Sequence, residues 1–265
     1  MSLMVTILGC GSSGGVPRVG SGWGACDPAE PKNRRRRCSI LVEAGQGAAK
    51  TAVLVDTSPD LREQLLDAGV KRLDGVIITH EHADHTHGLD DLRPLAIHMR
   101  RRIELHADRR TGDLLRERFS YCFITPAGSS YPPILNERRI TPDQTVTVSG
   151  AGGDVTAMPF RLSHGDIDAL GLRFSGFAYT PDVNAVPPES LHHLEHLDLW
   201  IIDALRQAPH PTHFSLSEAL GWIERLKPRR AILTNLHSDL DYMTLKRELP
   251  PHIIPAFDGM RFQAG

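Results

Sequence analysis

The chain has 265 residues, enough to bury a sizeable core and within the range that a layered α/β fold reaches as one unit. Hydrophobic residues make up 40% of it and charged residues 23%, which excludes a largely disordered chain. The formal net charge is −2, so no global basic field recruits nucleic acid, and no apolar stretch approaches the ~20 residues needed to span a bilayer.

Taken in chain order, apolar and β-branched runs predict strands at 4–8, 38–43, 52–56, 75–79, 103–106, 145–148, 155–160, 172–179, 199–203 and 230–234. Several are continuous apolar runs, as expected of strands covered on both faces. A helix is predicted over 60–68, with Ser58-Pro59 supplying an N-cap and a first-turn proline and Gly69 closing it. Ser215 and Glu218 form a capping box for a second helix, which Pro228 limits, and a third helix spans 242–249 before Pro250-Pro251. No long linker and no fixed-period repeat divides the chain, so residues 1–265 read as one domain. The first residues lack a positively charged leader region and run directly into a strand, while Cys10, Cys26, Cys38 and Cys122 are sparse, as in a reduced compartment. Both features predict a cytoplasmic protein.

Three segments take an ordinary reading. Gly9, Gly11 and Gly14 satisfy a dinucleotide fingerprint by letter, but no helix follows them, so they do not predict a nucleotide cofactor. The runs Arg34 to Arg37 and Arg100, Arg101, Arg102, Arg109 and Arg110 have acids nearby and no stacking aromatics, and read as solvated faces. Asp258-Gly259 between β-like runs reads as a hairpin turn.

The informative segment is Thr79-His80-Glu81-His82-Ala83-Asp84-His85, at the end of the apolar strand Val76-Ile77-Ile78. Three imidazoles and a carboxylate fall within six residues. His80 and His82 share a side of an extended chain, and Asp84 and His85 enter the following turn and reach the same volume from elsewhere. This arrangement can supply two neighbouring divalent cations. The donor set suits Zn, Mn or Fe, and the lack of cysteine argues against a purely structural thiolate site.

His-x-His-x-Asp-His after an apolar strand resembles the signature of the metallo-β-lactamase superfamily. The resemblance implies a four-layered αββα sandwich of the α/β class with the metals at one edge. It also implies that His164, Asp182 and His237 complete the ligand set, each at or just beyond a predicted strand end. Asp182 stands where thiolate-using lactamases carry Cys, and the second His of the cluster is not the Glu of oxygen-reducing di-iron members, so the hydrolytic branch is implied. One departure concerns the last ligand: the family pattern places His directly after Thr at the strand end, whereas this chain has Asn235 there and His237 two residues later. A shift of two keeps the same side of an extended chain, so His237 is expected to reach the site.

Three further stretches, Leu8 to Pro17, Pro211 to Ser215 and Phe257 to Met260, resemble phosphodiesterases of the ribonuclease Z and PhnP-like groups along the whole chain. PhnP-type enzymes hydrolyse a cyclic phosphate of phosphoribose, and the lack of the long arm that grips transfer RNA favours that smaller substrate over nucleic acid. The resemblance implies Asp56 as a support behind the metal ligands. PhnP-like proteins often carry a structural zinc bound by several cysteines after the first loop; this chain departs from them, with Cys26 alone there, and the expectation is that this zinc is absent. Two cations about 3.5–4 Å apart turn water into hydroxide near neutral pH and neutralise phosphoryl oxygens. The catalytic residues expected are Asp84, His213 and Asp203: His213, just before a capped helix, binds the phosphate and protonates the leaving group, and Asp203 orients it. The expectation is therefore a phosphodiesterase with two Mn or Zn ions, acting on a small phosphodiester or nucleotide and, by base rate, homodimeric. An ester, thioester or lactone hydrolase on the same cluster, and a non-catalytic nucleotide- or RNA-binding module, are the alternatives.

Overall fold

A computed structural model of the chain describes residues 2–47 and 49–264. Its strands are β1 (Leu3–Gly9), β2 (Ser39–Gln46), β3 (Ala49–Val55), β4 (Gly75–Ile77), β5 (Ile103–Ala107), β6 (Leu135–Arg139), β7 (Val146–Gly150), β8 (Gly153–His164), β9 (Ile167–Phe174), β10 (Phe177–Thr180), β11 (Leu199–Asp203), β12 (Ala231–Thr234), β13 (Ile253–Pro255) and β14 (Arg261–Ala264). The α-helices are α1 (Leu61–Asp67), α2 (Ala83–Thr86), α3 (Arg93–Met99), α4 (Arg109–Arg118), α5 (Ser120–Phe123), α6 (Leu216–Leu226) and α7 (Tyr242–Glu248).

The strands form two seven-stranded mixed sheets, in the orders β14-β1-β2-β3-β4-β5-β6 and β13-β12-β11-β10-β9-β8-β7. In each sheet antiparallel neighbours on one side give way to parallel neighbours on the other: β3 to β6 are parallel in the first, β10 to β13 in the second. The continuous apolar runs follow from this layering. In β3, Val53 and Val55 enter a core that also holds Tyr179, Leu199 and Ile201 of the other sheet, while Leu54 enters a second core with Leu61 and Leu65 of α1. In β11, Leu199 and Ile201 face the inner core and Trp200 and Ile202 face Ala219 and Ile223 of α6. Alternate side chains of one strand thus feed two cores, so neither face can be polar. The result is the expected αββα sandwich. No helix among the described residues is long and apolar enough to cross a membrane.

Several expectations need correction. The run 172–179 is two strands: Ser175, at φ 37°, and Gly176 turn the chain so that Phe177 pairs back with Phe174. Strands β6, β13 and β14 and helices α3 to α5 carry too little periodicity to be legible. Ser58 does not cap α1 directly; its Oγ accepts from the Asp60 N–H at 3.1 Å and donates to Gln64, and the helix starts after Asp60. Asp258-Gly259 is not a hairpin turn, because β13 and β14 lie in different sheets. Instead the Asp258 carboxylate accepts from the backbone N–H of Cys10 and of Arg36. Nor is the run Arg34 to Arg37 simply a solvated face: Arg36 pairs with Asp67 and Asp258, Arg37 pairs with Asp60, and Arg35 is buried. The glycine-rich loop lies against this run, with the Gly11 N–H donating to Arg36 O at 2.7 Å; a Cβ at Gly9 would meet Arg37 O at 2.0 Å.

Arg35 ties that loop to the segment after β12. Its guanidinium donates to His237 O at 3.2 Å, Leu240 O at 2.7 Å and Asn33 Oδ1 at 3.1 Å. Asp241, the N-cap of α7, accepts from the Thr244 N–H at 2.8 Å and from Asn33 Nδ2 at 2.7 Å. Burial opposes its charge, but these donors prevail and hold its carboxyl at about 2, below the ordinary 3.8. A depressed folded value stabilises the fold above the unfolded value and is lost as pH falls through the folded one. Asp241→Ala is therefore expected to cost about 1–2 kcal/mol at neutral pH. Denaturant unfolding should show that difference narrowing as pH falls from about 4 toward 2; a pH-independent difference would contradict the assignment.

Candidate metal centre

The site forms where strands of both sheets end. Beyond β4 the chain turns through His80 into α2, whose N-cap is His82 and which carries Asp84 and His85. The second sheet contributes His164, the last residue of β8, Asp182 two residues beyond β10, Asp203 at the end of β11 and Asn235 directly after β12. His213 comes from the loop before α6, where Ser215 and Glu218 make the expected capping box.

Three groups of ligand atoms converge: His80, His82 and His164; His80, His85 and Asp182; and His164, Asp182 and His213. Asp182 is the member that connects them. Its Oδ1 lies 3.1 Å from His85 Nε2, and its Oδ2 lies 3.6, 3.8 and 3.9 Å from Nε2 of His164, His213 and His80. Asp84 Oδ2 stands 3.5 Å from His85 Nε2.

Each buried imidazole is oriented through its other nitrogen. His85 Nδ1 lies 2.7 Å from Asp56 Oδ2, His80 Nδ1 3.0 Å from Thr79 Oγ1, and His164 Nδ1 2.6 Å from Thr212 O. With Nδ1–H donating in each case, the three Nε2 atoms face the site; burial opposes charge on His85, but Asp182 and then Asp56 raise its pKa well above the ordinary value, so its Nε2 carries a proton that a cation would displace. Asp56 has the supporting place expected of it: fully buried, it accepts from the Thr79 N–H at 2.8 Å and from Thr79 Oγ1 as well as from His85. Its backbone is left-handed, at φ 64°, which aims the carboxylate across the strand end.

These groups fit divalent cations. His80 Nε2 and His85 Nε2 are buried and make no hydrogen bond, although each faces acceptors. His164 Nε2 and His82 Nδ1 approach to 3.1 Å, with His164 already donating from its other nitrogen. Burial and then His85 push His80 well below its ordinary pKa, so it is a neutral, ligating imidazole. Burial would raise Asp182, yet the facing imidazoles, His85 first, hold it well below the usual carboxylate range. The clustered His and Asp groups match a dinuclear site of nitrogen and oxygen donors.

His213 and Asp203 form a pair beside it. His213 Nδ1 is 2.8 Å from Asp203 Oδ2, which also accepts from the Val183 N–H at 3.1 Å. Burial opposes charge on His213, but Asp203 and then Asp182 overcome it and raise its pKa to about 9. The proton therefore rests on the imidazole, and Nε2 is turned toward Asp182.

His237 stands apart from all three groups. Its Nδ1 is 3.1 Å from Asp239 Oδ1, and its backbone is held between Leu205 O and Arg35. The residue at the strand end is Asn235, whose Nδ2 donates to Pro181 O at 3.0 Å and Asp182 Oδ1 at 3.3 Å. Asn235 is at φ 61°, so the chain leaves the extended conformation there and a two-residue shift no longer returns to the same side. Sequence reasoning also passed over Thr79 and Thr212, whose signal was adjacency to a ligand.

Comparison with known proteins bears on the family and the fold. The profile of the Beta-lactamase superfamily domain matches residues 51–235. A crystal structure described as a new diphosphatase from the PhnP family superposes with a TM-score of 0.88 at 34% identity, covering 99% of this chain and 97% of that one. An octanoyltransferase of Porphyromonas gingivalis is 34% identical over 96% of this chain and 50% of its own length. A ribonuclease Z of a Bradyrhizobium species is 29% identical over 54% of this chain and 46% of its own. The chain thus spans about half the length of each of these two relatives.

Elemental analysis of the purified protein should give two divalent cations per chain. Asp182→Ala should lose at least one, and Asp56→Asn should weaken cation affinity about 10- to 100-fold by freeing His85. His237→Ala should keep the wild-type content; loss of a cation in that variant would place His237 back in the ligand set.

Proposed function

The chain belongs to the metallo-β-lactamase superfamily, in its PhnP-like group, and on that premise we propose that it is a metal-dependent phosphodiesterase. The substrate in this reading is a small cyclic or nucleotide phosphodiester, of the phosphoribosyl 1,2-cyclic phosphate type, and the cations are Mn or Zn. The observation that carries it is the placement of His213, held by Asp203 at 2.8 Å through Nδ1 and facing Asp182 through Nε2. Hydrolysis of a phosphodiester expels an alkoxide that needs a proton, and His213 Nε2 is the acid placed to supply it.

Two divalent cations bound there supply Lewis acidity toward the phosphoryl oxygens and lower the pKa of water toward neutrality. The chain's own groups do the rest. Asp182 holds negative charge between the facing imidazoles, and Asn235 fixes its Oδ1. Asp84, whose side chain is 17% exposed, lies 3.5 Å from His85 Nε2. Asp203 fixes the His213 tautomer, and the capped N-terminus of α6 two residues later favours an anion beside His213. After the leaving group departs, the neutral imidazole regains its proton from solvent through its partly open edge.

An acyl hydrolase on the same cluster is the second reading, and the relative named octanoyltransferase is the observation that favours it. Half of that protein lies outside the match, so its name supports this reading only weakly. An acyl substrate with a good leaving group has less need of His213.

Metal-loaded protein should hydrolyse bis(p-nitrophenyl) phosphate and 2′,3′-cyclic nucleotides, lose activity to a chelator and regain it with Mn or Zn. His213→Ala should lower kcat about 10²- to 10⁴-fold with cation content unchanged. Thioester or lactone hydrolysis without phosphodiesterase activity would overturn the proposal in favour of the acyl reading.

A further inference from the structure

A cleft of about 620 Å³ opens beside His82, lined by Glu81, His82, Ala83, His87, Arg118 and Phe119. It shares His82 with the metal centre, and its volume lies in the range of small-molecule sites.

The lining is specific in charge and shape. Arg118, the last residue of α4, donates one N–H from Nη1 to Glu81 O at 2.7 Å. A guanidinium has five such donors, so its remaining edge is available to a ligand. Arg110, about two turns earlier on α4, pairs with the Glu81 carboxylate at 2.8 Å. The Glu81 carboxylate is thus met by Arg110, while Arg118 bonds only the Glu81 main-chain carbonyl and keeps its charge free of a carboxylate partner among the described residues. Across from them, His87 and Phe119 meet edge to face with centroids 5.7 Å apart, making an aromatic wall. Arg118, the two aromatic rings and His82 of the metal centre therefore border one space.

We propose that this cleft is the subsite for the non-reacting half of the substrate, with Arg118 holding a second anionic group and Phe119 with His87 flanking a planar ring. The inference rests on the phosphodiesterase reading and narrows it to nucleotide-type substrates: a phosphodiester or diphosphate bearing a further phosphate and a base. The match to a diphosphatase structure is in keeping with two phosphates in one substrate. Arg118 is here a binding residue, distinct from the groups that perform the bond cleavage.

The test is competitive inhibition of bis(p-nitrophenyl) phosphate hydrolysis by ADP, in wild type, Arg118→Met, Arg118→Lys and Phe119→Ala. Arg118→Met should raise the inhibition constant about tenfold, as loss of one charge-assisted phosphate contact does. Its kcat for bis(p-nitrophenyl) phosphate should fall by less than the inhibition constant rises, since that ester offers no second anion. Arg118→Lys should restore part of the loss, and Phe119→Ala should weaken ADP about threefold to tenfold by removing the ring contact. An unchanged inhibition constant in Arg118→Met would overturn the subsite, as would a fall in kcat of the same size, which marks a structural role for the bond to Glu81. Should wild-type protein not cleave bis(p-nitrophenyl) phosphate, the phosphodiesterase reading fails by itself. Calorimetric titration of ADP into the same variants then decides the subsite separately.

Discussion

Five imidazoles and the carboxylates of Asp84 and Asp182 converge at the ends of two sheets, and their inward-facing atoms are mostly hydrogen-bond acceptors. His80 Nε2 and His85 Nε2 are fully buried with no partner, and Asp182 faces four of the imidazoles within 3.9 Å. A buried polar atom left without a partner costs about 1–3 kcal/mol, so a cluster of them is stable only if something positive lies among them. Protons on the imidazoles meet that need in part; divalent cations would meet it and leave the ligating rings neutral, His213 keeping its proton against Asp203. Much of the local architecture follows from keeping those lone pairs aimed inward, from the Asp56 and Thr79 network to the Thr212 carbonyl behind His164.

The fold makes this arrangement possible by bringing parallel strands of both sheets to one edge. β3, β4, β10, β11 and β12 all stop there, and two of the residues just past a strand end leave the extended state. Asp56 and Asn235 do so in the left-handed region, at φ 64° and 61°. The β-sandwich core behind them is apolar on every layer, which fixes strand register and therefore fixes how far each polar residue projects. His213 is set differently, by a capped helix start and by Asp203, so the acid and the ligands are anchored to separate elements.

How much of this could be read from residues alone depended on locality. His80, His82, Asp84 and His85 were legible because their spacing lies within a single turn, and the pairing of His213 with Asp203 was legible from a strand end and a capping box. His237 was not, because the inference assumed that β12 stays extended past Thr234. Asn235 breaks that assumption, and the chain then turns His237 toward Asp239. The arginine run was misjudged for a related reason: nothing near Arg35 in sequence reveals that Leu240 O and His237 O, some two hundred residues later, will receive its guanidinium. Arg118 and Phe119 carried no local signal at all, since only the packing of α4 beside the Glu81 turn gives them a cleft to line.

The account turns on two cations sharing Asp182, with the strand-end Asn235 and not His237 beside them. Anomalous diffraction from crystals of the Mn- or Zn-loaded protein measures this most directly. The prediction is two peaks on either side of the Asp182 carboxylate, one among His80, His82 and His164 and the other against Asp84 and His85, with His237 outside both coordination spheres. A single peak, or a peak coordinated by His237, would contradict it.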